Sequence, residues 1–372
     1  MKVLITGSDG FIGKNLTQRL AEIQQVTFVT FSRKQNKQEL SALLHDVDFV
    51  FHLAGINRPL NPEEFVIGNI ELTQYLSSCI ADIASKTGRK IPVLFSSSIH
   101  AEANTPYGCS KHDAEKILLQ LRTDFNIPVY ICRLPGVFGK WAKPNYNSVV
   151  ATFCYNIANN IPLQIDNVNH LLRLVYIDDV ISTFLLAMNG KVSECGFLEV
   201  ETAYLTTVGQ LAETIVNFKR SRETLVTEPV GTGFLRALYS TYVSYLPVDE
   251  FSYSIKEHKD PRGRFVEVIK TVDSGQVSYF TAHPGVTRGG HYHHCKTEKF
   301  LVIQGEAKFR FRHLITNEFY ELTTNSAHAT IVETIPGWSH DVTNIGKEEL
   351  IAIVWANENF DSENPDTFAS KL

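Results

Sequence analysis

Met1-Lys-Val-Leu-Ile-Thr6-Gly7-Ser-Asp-Gly10-Phe11-Ile12-Gly13 decides the fold of the first half of the chain. Val3–Thr6 is a short apolar run with β-branched residues, the pattern of a buried strand. Three glycines spaced G-x-x-G-x-x-G follow at once, and Lys14–Ile23 then has helical periodicity. A glycine turn between strand and helix lets the backbone bend sharply and approach a pyrophosphate, which the N–H groups of the helix start can bind. The spacing differs from the commoner G-x-G-x-x-G, so position after a strand carries more weight than the glycines themselves.

Working outward, the same alternation continues to about residue 215. Val26–Phe31, Phe49–Leu53, Pro92–Ser96 and Val129–Arg133 have strand character, separated by amphipathic stretches such as Asn69–Ser85 and Ser110–Phe125. Alternating strands and helices imply an α/β domain with a doubly wound, Rossmann-type parallel sheet. After about residue 250 the pattern changes. Phe265–Ile269, Gln276–Thr281, Lys299–Ile303, Ala307–Arg312 and Leu350–Trp355 are strand-like runs joined by turns, with no long amphipathic helix between them. This predicts a C-terminal all-β sandwich or barrel. A Tyr/Ser-rich bridge near Tyr239–Tyr253 places the boundary near residue 245, giving domains over 1–245 and 246–372.

Composition excludes several functions. With 372 residues, 44% hydrophobic and 20% charged, the chain is an ordinary two-domain globular protein. A net charge of -5 gives no basic footprint for nucleic acid. No apolar run approaches the roughly 18 residues of a membrane span. Six scattered cysteines without a C-x-x-C pair, and no secretory leader, predict free thiols and a cytoplasmic location.

Three features bear on cofactor and chemistry in the first domain. The second strand ends Phe31-Ser32-Arg33-Lys34, where bases suit the 2′-phosphate of NADPH and an acid would suit NAD. Tyr107 and Lys111 lie four residues apart, on one helical face. A nearby cation favours phenolate and is expected to lower the Tyr107 pKa. The serine run Ser96-Ser97-Ser98 ends a strand nine residues before Tyr107 and offers a second hydroxyl.

Together with Asp48-Phe-Val-Phe-His-Leu-Ala-Gly55, Asn69, Arg133-Leu-Pro-Gly-Val-Phe-Gly139 and Val175-Tyr-Ile-Asp178-Asp179-Val, these residues resemble the extended short-chain dehydrogenase/reductases over roughly residues 1–215. The resemblance implies a nucleotide-sugar substrate. It implies Ser98 as the group orienting a carbonyl, Tyr107 as acid/base, Lys111 as its partner and ribose contact, and Asn69 as support for that helix. It also implies cofactor contacts from Gly7, Gly10, Phe11, Ile12, Gly13, Ser32, Arg33, Lys34, Leu53 and Ala54. Sugar-nucleotide dehydratases of this family carry Asp-Glu after the catalytic hydroxyl residue; Ile99-His100 stands here, which disfavours dehydration.

In the second domain, Arg288-Gly-Gly-His291-Tyr-His293-His-Cys-Lys-Thr-Glu298 is followed by Pro336-Gly337-Trp-Ser-His340. On a strand, His291 and His293 face one side. With Glu298 and His340 they form a nitrogen/oxygen donor set for Zn2+ or another divalent metal. The two blocks resemble the paired motifs of the cupin superfamily, a jelly-roll barrel. Asp260-Pro-Arg262-Gly263 and Arg288–Tyr292 also resemble the sugar-nucleotide 3,5-epimerases, whose histidine removes a proton beside a ketone. His291 thus has two candidate roles, ligand or catalytic base, and one lone pair cannot serve both at once.

Over its full length, a reductase followed by a cupin, with P-Y-G-x-S-K, K-P-N-Y-N-S-V, L-Y-S-T-Y and N-E-x-F-D, resembles the bifunctional enzymes of capsular polysaccharide synthesis. That resemblance implies C3 epimerisation of a UDP-linked 2-acetamido-4-keto-6-deoxy-hexose by the cupin. Reduction at C4 with NADPH would then give a 2-acetamido-2,6-dideoxy-L-talose product, toward UDP-N-acetyl-L-fucosamine. A homodimer is expected. The competing expectations are a monofunctional reductase with a sugar-binding or dimerising cupin, an NAD-retaining 4-epimerase, and a cupin metallo-oxygenase fused to a reductase.

Overall fold

Val3, Leu4 and Ile5 of β1 (Lys2–Thr6) are all fully buried. Consecutive apolar residues suit a strand covered by helices on both faces, and two separate cores lie against it. Val3 and Ile5 pack with Leu16 and Leu20 of α1 (Phe11–Ala21) and with Val180 and Phe184 of α7 (Ile177–Met188). Leu4 packs with Leu76 and Ile80 of α4 (Leu72–Thr87) and with Ala114 and Leu118 of α5 (Pro106–Phe125). The computed structural model describes all residues except Lys34, Leu60, Pro62, Ser193, Glu194 and Asn364.

The remaining strands of this sheet are β2 (Thr27–Phe31), β3 (Phe49–His52), β4 (Val93–Ser98), β5 (Val129–Leu134) and β8 (Gly196–Leu198). Their order is β2-β1-β3-β4-β5-β8 with every pairing parallel. The expected doubly wound sheet is present, in the order 2-1-3-4-5 rather than the commoner 3-2-1-4-5-6. Between Phe31 and Phe49 the chain has room for α2 (Lys37–Leu43) and one 3₁₀ turn, not for a further strand. The topological switch therefore falls between β1 and β3, where such sheets bind ligands. A small sheet of β6 (Gly136–Phe138), β7 (Leu171–Tyr176) and β9 (Tyr204–Thr207) accompanies α6 (Val149–Ala158). The helix predicted over Asn69–Ser85 is longer: α3 (Glu63–Phe65) runs through a π-helical turn, Val66–Glu71, into α4.

By compactness the chain divides into Met1–Ile215 with Ala237–Leu246, and Val216–Arg236 with Pro247–Leu372. The division falls within α8 (Val208–Thr224), and α9 (Gly233–Val243) straddles the return. The second unit is built on two antiparallel sheets. One has the order β10 (Val226–Thr227), β12 (Gly263–Thr271), β13 (Gln276–Ala282), β20 (Leu350–Ala356), β15 (Glu298–Gln304) and β18 (Ile331–Glu333), with β11 (Glu257–Asp260) beside β12. Its short β10 pairs with β12 in parallel. The other has the order β17 (Phe319–Asn325), β16 (Glu306–His313), β19 (Trp338–Asn344), β14 (Thr287–Tyr292) and β21 (Phe368–Ala369). Phe280, Phe300, Phe309, Phe311, Leu350 and Val354 fill the apolar core of this unit. Among the described residues, no helix is long and apolar enough to cross a membrane.

Candidate functional site

The glycine turn sits at the β1–β3 switch. Gly7 has φ +74°, and a Cβ there would lie 2.6 Å from the Ala54 nitrogen, so only glycine fits against the end of β3. Gly7 N–H donates to the Phe31 carbonyl at 3.0 Å, which fixes the turn to the end of β2. Gly10 caps α1 in extended conformation, and Phe11 and Ile12 pack against the core as its first residues. Gly13 is buried in α1, and Leu53 and Ala54 lie beside the turn. Ser32 directly follows β2 and Arg33 is exposed next to it. Lys34 lies outside the described residues. The N–H groups at the start of α1, at the glycine turn, thus form a cradle with the chemistry of a dinucleotide site, with Arg33 exposed just after the end of the neighbouring β2.

A buried polar chain runs beneath this cradle. Ala54 N–H contacts Thr6 Oγ1 at 3.2 Å, Thr6 Oγ1 contacts His52 Nδ1 at 2.8 Å, and His52 Nε2 contacts Thr73 Oγ1 at 2.8 Å. Thr73 in turn donates to the Asn69 carbonyl at 2.5 Å. The Asn69 side chain donates to Ser110 Oγ at 2.9 Å and to the Ile56 carbonyl at 3.0 Å, and accepts from Ile56 N–H at 2.7 Å. Ser110 Oγ donates to the Tyr107 carbonyl at 2.8 Å. Asn69 thereby links the loop after β3 to the first turn of α5.

Ser98, Tyr107 and Lys111 converge beside the carboxyl end of β4. Thr105 Oγ1 caps α5 through Gly108 N–H at 3.1 Å, with Pro106 in the first turn. A Cβ on Gly108 would lie 2.3 Å from the carbonyls of His100 and Ala103, so the glycine lets α5 start against the turn that follows Ser98. Burial pushes the Tyr107 phenol up, opposed by its hydrogen bond with Ser98. This is the opposite of the lowering expected from Lys111. The Lys111 ammonium instead donates to the Ser96 carbonyl at 3.0 Å and lies 4.6 Å from the Phe95 ring centre. A protonated phenol is the form that donates a proton, as reduction of a ketone requires.

Burial lowers Lys111 to about 8 from 10.5, with Glu115 opposing the change. Glu115, four residues further along α5, is buried, accepts from Ser97 Oγ at 2.5 Å and forms a two-point pair with Arg133 at 2.6 and 2.9 Å. Sequence reasoning missed it, although the Tyr107-Lys111-Glu115 spacing keeps all three on one helical face. A pH effect follows. Between pH 8 and 10.5 the unfolded chain holds the Lys111 proton and the folded chain does not, so stability rises with pH there. The slope reaches at most about 1.4 kcal/mol per pH unit. Urea unfolding of the wild type and Lys111→Met across this range should show the wild type gaining relative stability as pH rises; parallel curves would contradict it.

At the carboxyl ends of the same strands lies a cavity of about 330 Å³, lined by Ile99, Glu102, Arg133, Arg173, Phe197 and Val200. His100, exposed in the turn after Ser98, is not among its lining residues.

The second unit gathers His291, His293, Glu298 and His340, whose ligating atoms all lie within 4.8 Å of one another. His291 and His340 are register partners across β14 and β19, His293 follows the last residue of β14, and Glu298 begins β15 in the other sheet. Both ring nitrogens of His340 are buried without a hydrogen-bond partner. His293 Nε2 is 3.3 Å from Glu298 Oε2, while its Nδ1 is 2.5 Å from the Asp366 carbonyl. A carbonyl only accepts, so Nδ1 carries the hydrogen and Nε2 turns a lone pair toward a carboxylate. Orphaned imidazole nitrogens and a lone pair facing an anion are what a cation between them resolves, and three imidazoles with one carboxylate fit zinc.

Burial would raise Glu298, but the His293 and His340 rings, 3.3 and 3.5 Å from its Oε2, and the Lys296 charge outweigh it and hold the carboxyl well below the usual range. Burial, with His340 adding to it, lowers His291 to about 4, which leaves its imidazole neutral at pH 7. Lys296, buried with its ammonium 3.3 Å from Glu298 Oε1, was missed by sequence reasoning; its place two residues before Glu298 was the available signal. His294 and Cys295 are exposed residues of the turn after β14.

Residues 3–195, just over half of the chain, match the model of the NAD dependent epimerase/dehydratase family. The chain belongs to this family. Residues 258–368 match the polysaccharide biosynthesis C-terminal domain. The chain is 56% identical over 372 residues to a Pseudomonas aeruginosa UDP-2-acetamido-2,6-beta-L-arabino-hexul-4-ose reductase, covering 100% of this chain and 99% of the relative. Among solved structures it matches the capsular polysaccharide assembling protein CapF from Staphylococcus aureus at 39% identity and TM-score 0.92, each chain covered in full. This bears out the full-length resemblance to the capsular enzymes. A UDP-glucuronic acid 4-epimerase from Bacillus cereus, in complex with NAD, shares the fold of the first unit at 21% identity and TM-score 0.52, covering 59% of this chain and 84% of that one.

Proposed function

We propose that the chain is a nucleotide-sugar 4-keto reductase of capsular or surface polysaccharide synthesis whose second unit epimerises C3 of the same substrate. The observation that carries the reading is the convergence of Ser98, Tyr107 and Lys111 beside the glycine cradle, on a chain similar over its full length to a UDP-hexulose reductase. The substrate is a UDP-linked 2-acetamido-4-keto-6-deoxy-hexose and the product a UDP-2-acetamido-2,6-dideoxy-L-talose, a precursor of UDP-N-acetyl-L-fucosamine. Bound in the cradle, NADPH supplies the hydride for C4. Ser98 Oγ would hold the C4 oxygen, Tyr107 would give it a proton and regain one from solvent, and Lys111 would hold the ribose and favour the transient phenolate. The cavity beside Ser98 receives part of the nucleotide sugar, with Arg173 on its wall.

Epimerisation precedes reduction because a C–H next to a ketone is acidic and a C–H on an ordinary alcohol carbon is not. His291, His293, Glu298 and His340 would hold the metal, zinc by donor set. When bound, such an ion polarises an oxygen of the substrate as a Lewis acid. We assign His291 to the ligands because its ring centre lies 4.7 Å from that of His340 and 5.0 Å from that of His293; a neighbouring base would then take the C3 proton, and a proton would return on the opposite face. A His291→Ala protein that binds zinc at full stoichiometry, yet exchanges no C3 proton, would make it the base instead. The free cysteines and the use of NADPH suit the reducing cytoplasm. A homodimer is proposed as well, and a monomer mass by light scattering would reject it.

The test is incubation with the UDP-4-keto sugar in deuterium oxide. Deuterium should enter C3 without NADPH, and NADPH should then be oxidised. Uptake of no deuterium, with NADPH still consumed, would reduce the second unit to a binding or dimerising module. Arg33 gives a separate prediction. A charge-assisted hydrogen bond contributes about 1.5–3 kcal/mol, so Arg33→Ala should raise the KM for NADPH about 10–100-fold and leave that for NADH unchanged. An equal effect on both would return Arg33 to an ordinary exposed residue.

A further inference from the structure

We propose that Asp366 is a positioning residue of the four-ligand cluster, acting on His293 from both sides. The inference rests on reading that cluster as a divalent-metal site. The Asp366 carboxylate accepts from three consecutive backbone N–H groups, those of His294 at 2.9 Å, Cys295 at 2.8 Å and Lys296 at 2.8 Å. It also accepts from the Cys295 thiol at 3.3 Å. Successive N–H groups aimed at one anion form a nest, and each such bond is charge-assisted. They hold the turn immediately after His293, where the ladder of β14 has ended. The Asp366 carbonyl takes the Nδ1–H of His293 and leaves Nε2 directed at Glu298. A ligating histidine whose other N–H is fixed by a carbonyl has its tautomer and ring orientation set in advance.

Asp366 is itself held in place. In β21, Phe368 and Ala369 pair with Tyr292 and His291, and the Phe368 ring stacks on Tyr292 with centres 5.3 Å apart. Ser370 N–H donates to the Gly290 carbonyl at 2.8 Å, the Ser370 carbonyl accepts from Ser339 Oγ, and Arg312 donates to the Lys371 carbonyl at 2.9 Å. Segment 366–371 therefore closes the β14 edge of its sheet and presents one residue to the cluster. The sequence does not signal this, because the contacts join positions about seventy apart.

Zinc affinity of the full-length wild type, Asp366→Asn, Asp366→Ala and Cys295→Ala, by competition with a chromophoric chelator, tests the proposal. Asp366→Ala should weaken zinc about 10–100-fold. Asp366→Asn, which keeps one acceptor oxygen, should fall between it and the wild type. Cys295→Ala keeps all three N–H bonds and should match the wild type; a loss equal to that of Asp366→Ala would pass the role to the thiol and overturn the proposal. Histidine-selective ¹⁵N spectra give a second measure. The Nδ1–H signal of His293 should be present in the wild type and lost or averaged in Asp366→Ala. An unchanged signal, or wild-type zinc affinity in Asp366→Ala, overturns the inference. A wild type that binds no zinc sinks the metal reading instead, and the tautomer signal still decides the role of Asp366.

Discussion

Tyr107→Phe should lower the turnover number for 4-keto reduction by about 10²–10⁴-fold, the usual worth of a positioned acid or base. The substitution removes one oxygen and keeps the ring, so its contact with Phe65, at 5.8 Å between centres, survives. The cap of α5 by Thr105 and the Asn69–Ser110 link also remain, since neither uses the phenol. The loss would therefore report proton transfer and not misplacement of the helix. NADPH affinity, followed by fluorescence, should change little. Deuterium uptake at C3 should stay at the wild-type rate, because that chemistry belongs to the other unit. A variant that reduces substrate within threefold of wild type would remove Tyr107 from the acid role; one that loses both activities would contradict the division of labour between the units.

Glu298→Ala should abolish C3 exchange and leave the reductase able to oxidise NADPH with a substrate already epimerised. Glu298 is the only carboxylate among the four clustered side chains, and it brings the negative charge that a divalent ion between three neutral imidazoles needs. Its removal should weaken zinc by more than the roughly 10–100-fold that loss of an outer-shell partner costs. Metal content by atomic emission after gel filtration is the direct readout, and dialysis of the wild type against a chelator should reproduce the same activity pattern. Zinc retained at full stoichiometry by Glu298→Ala would refute its place in the site.

Much of this was legible because it depends on local sequence. The β1–glycine–α1 unit is visible since Val3, Leu4 and Ile5 must all be buried and Gly7 must turn against Ala54. His291, His293 and Glu298 lie in one short stretch, and His340 has its own turn motif. What was hidden depends on where neighbours sit. The π-helical turn at Val66–Glu71 leaves the apolar periodicity of that helix almost unchanged. The Tyr107 phenol is pushed up by burial, while Lys111 bonds to a carbonyl of β4, and spacing along α5 reveals neither. β17 is missing from the sequence reading because it lies at a sheet edge with Phe319, Tyr320 and Glu321 exposed, so it lacks the usual alternation.

The buried chain through His52 has a fixed proton order. Ala54 N–H can only donate and the Asn69 carbonyl can only accept, so every hydrogen between them must point from the glycine turn toward α4. Burial lowers His52 to about 3, which keeps its ring neutral, with the hydrogen on Nε2 and the lone pair on Nδ1. A histidine beneath a cofactor cradle would ordinarily be suspected of sensing pH near neutrality. This one is a passive link: with a donor-only group at one end and an acceptor-only group at the other, its hydrogens cannot reverse.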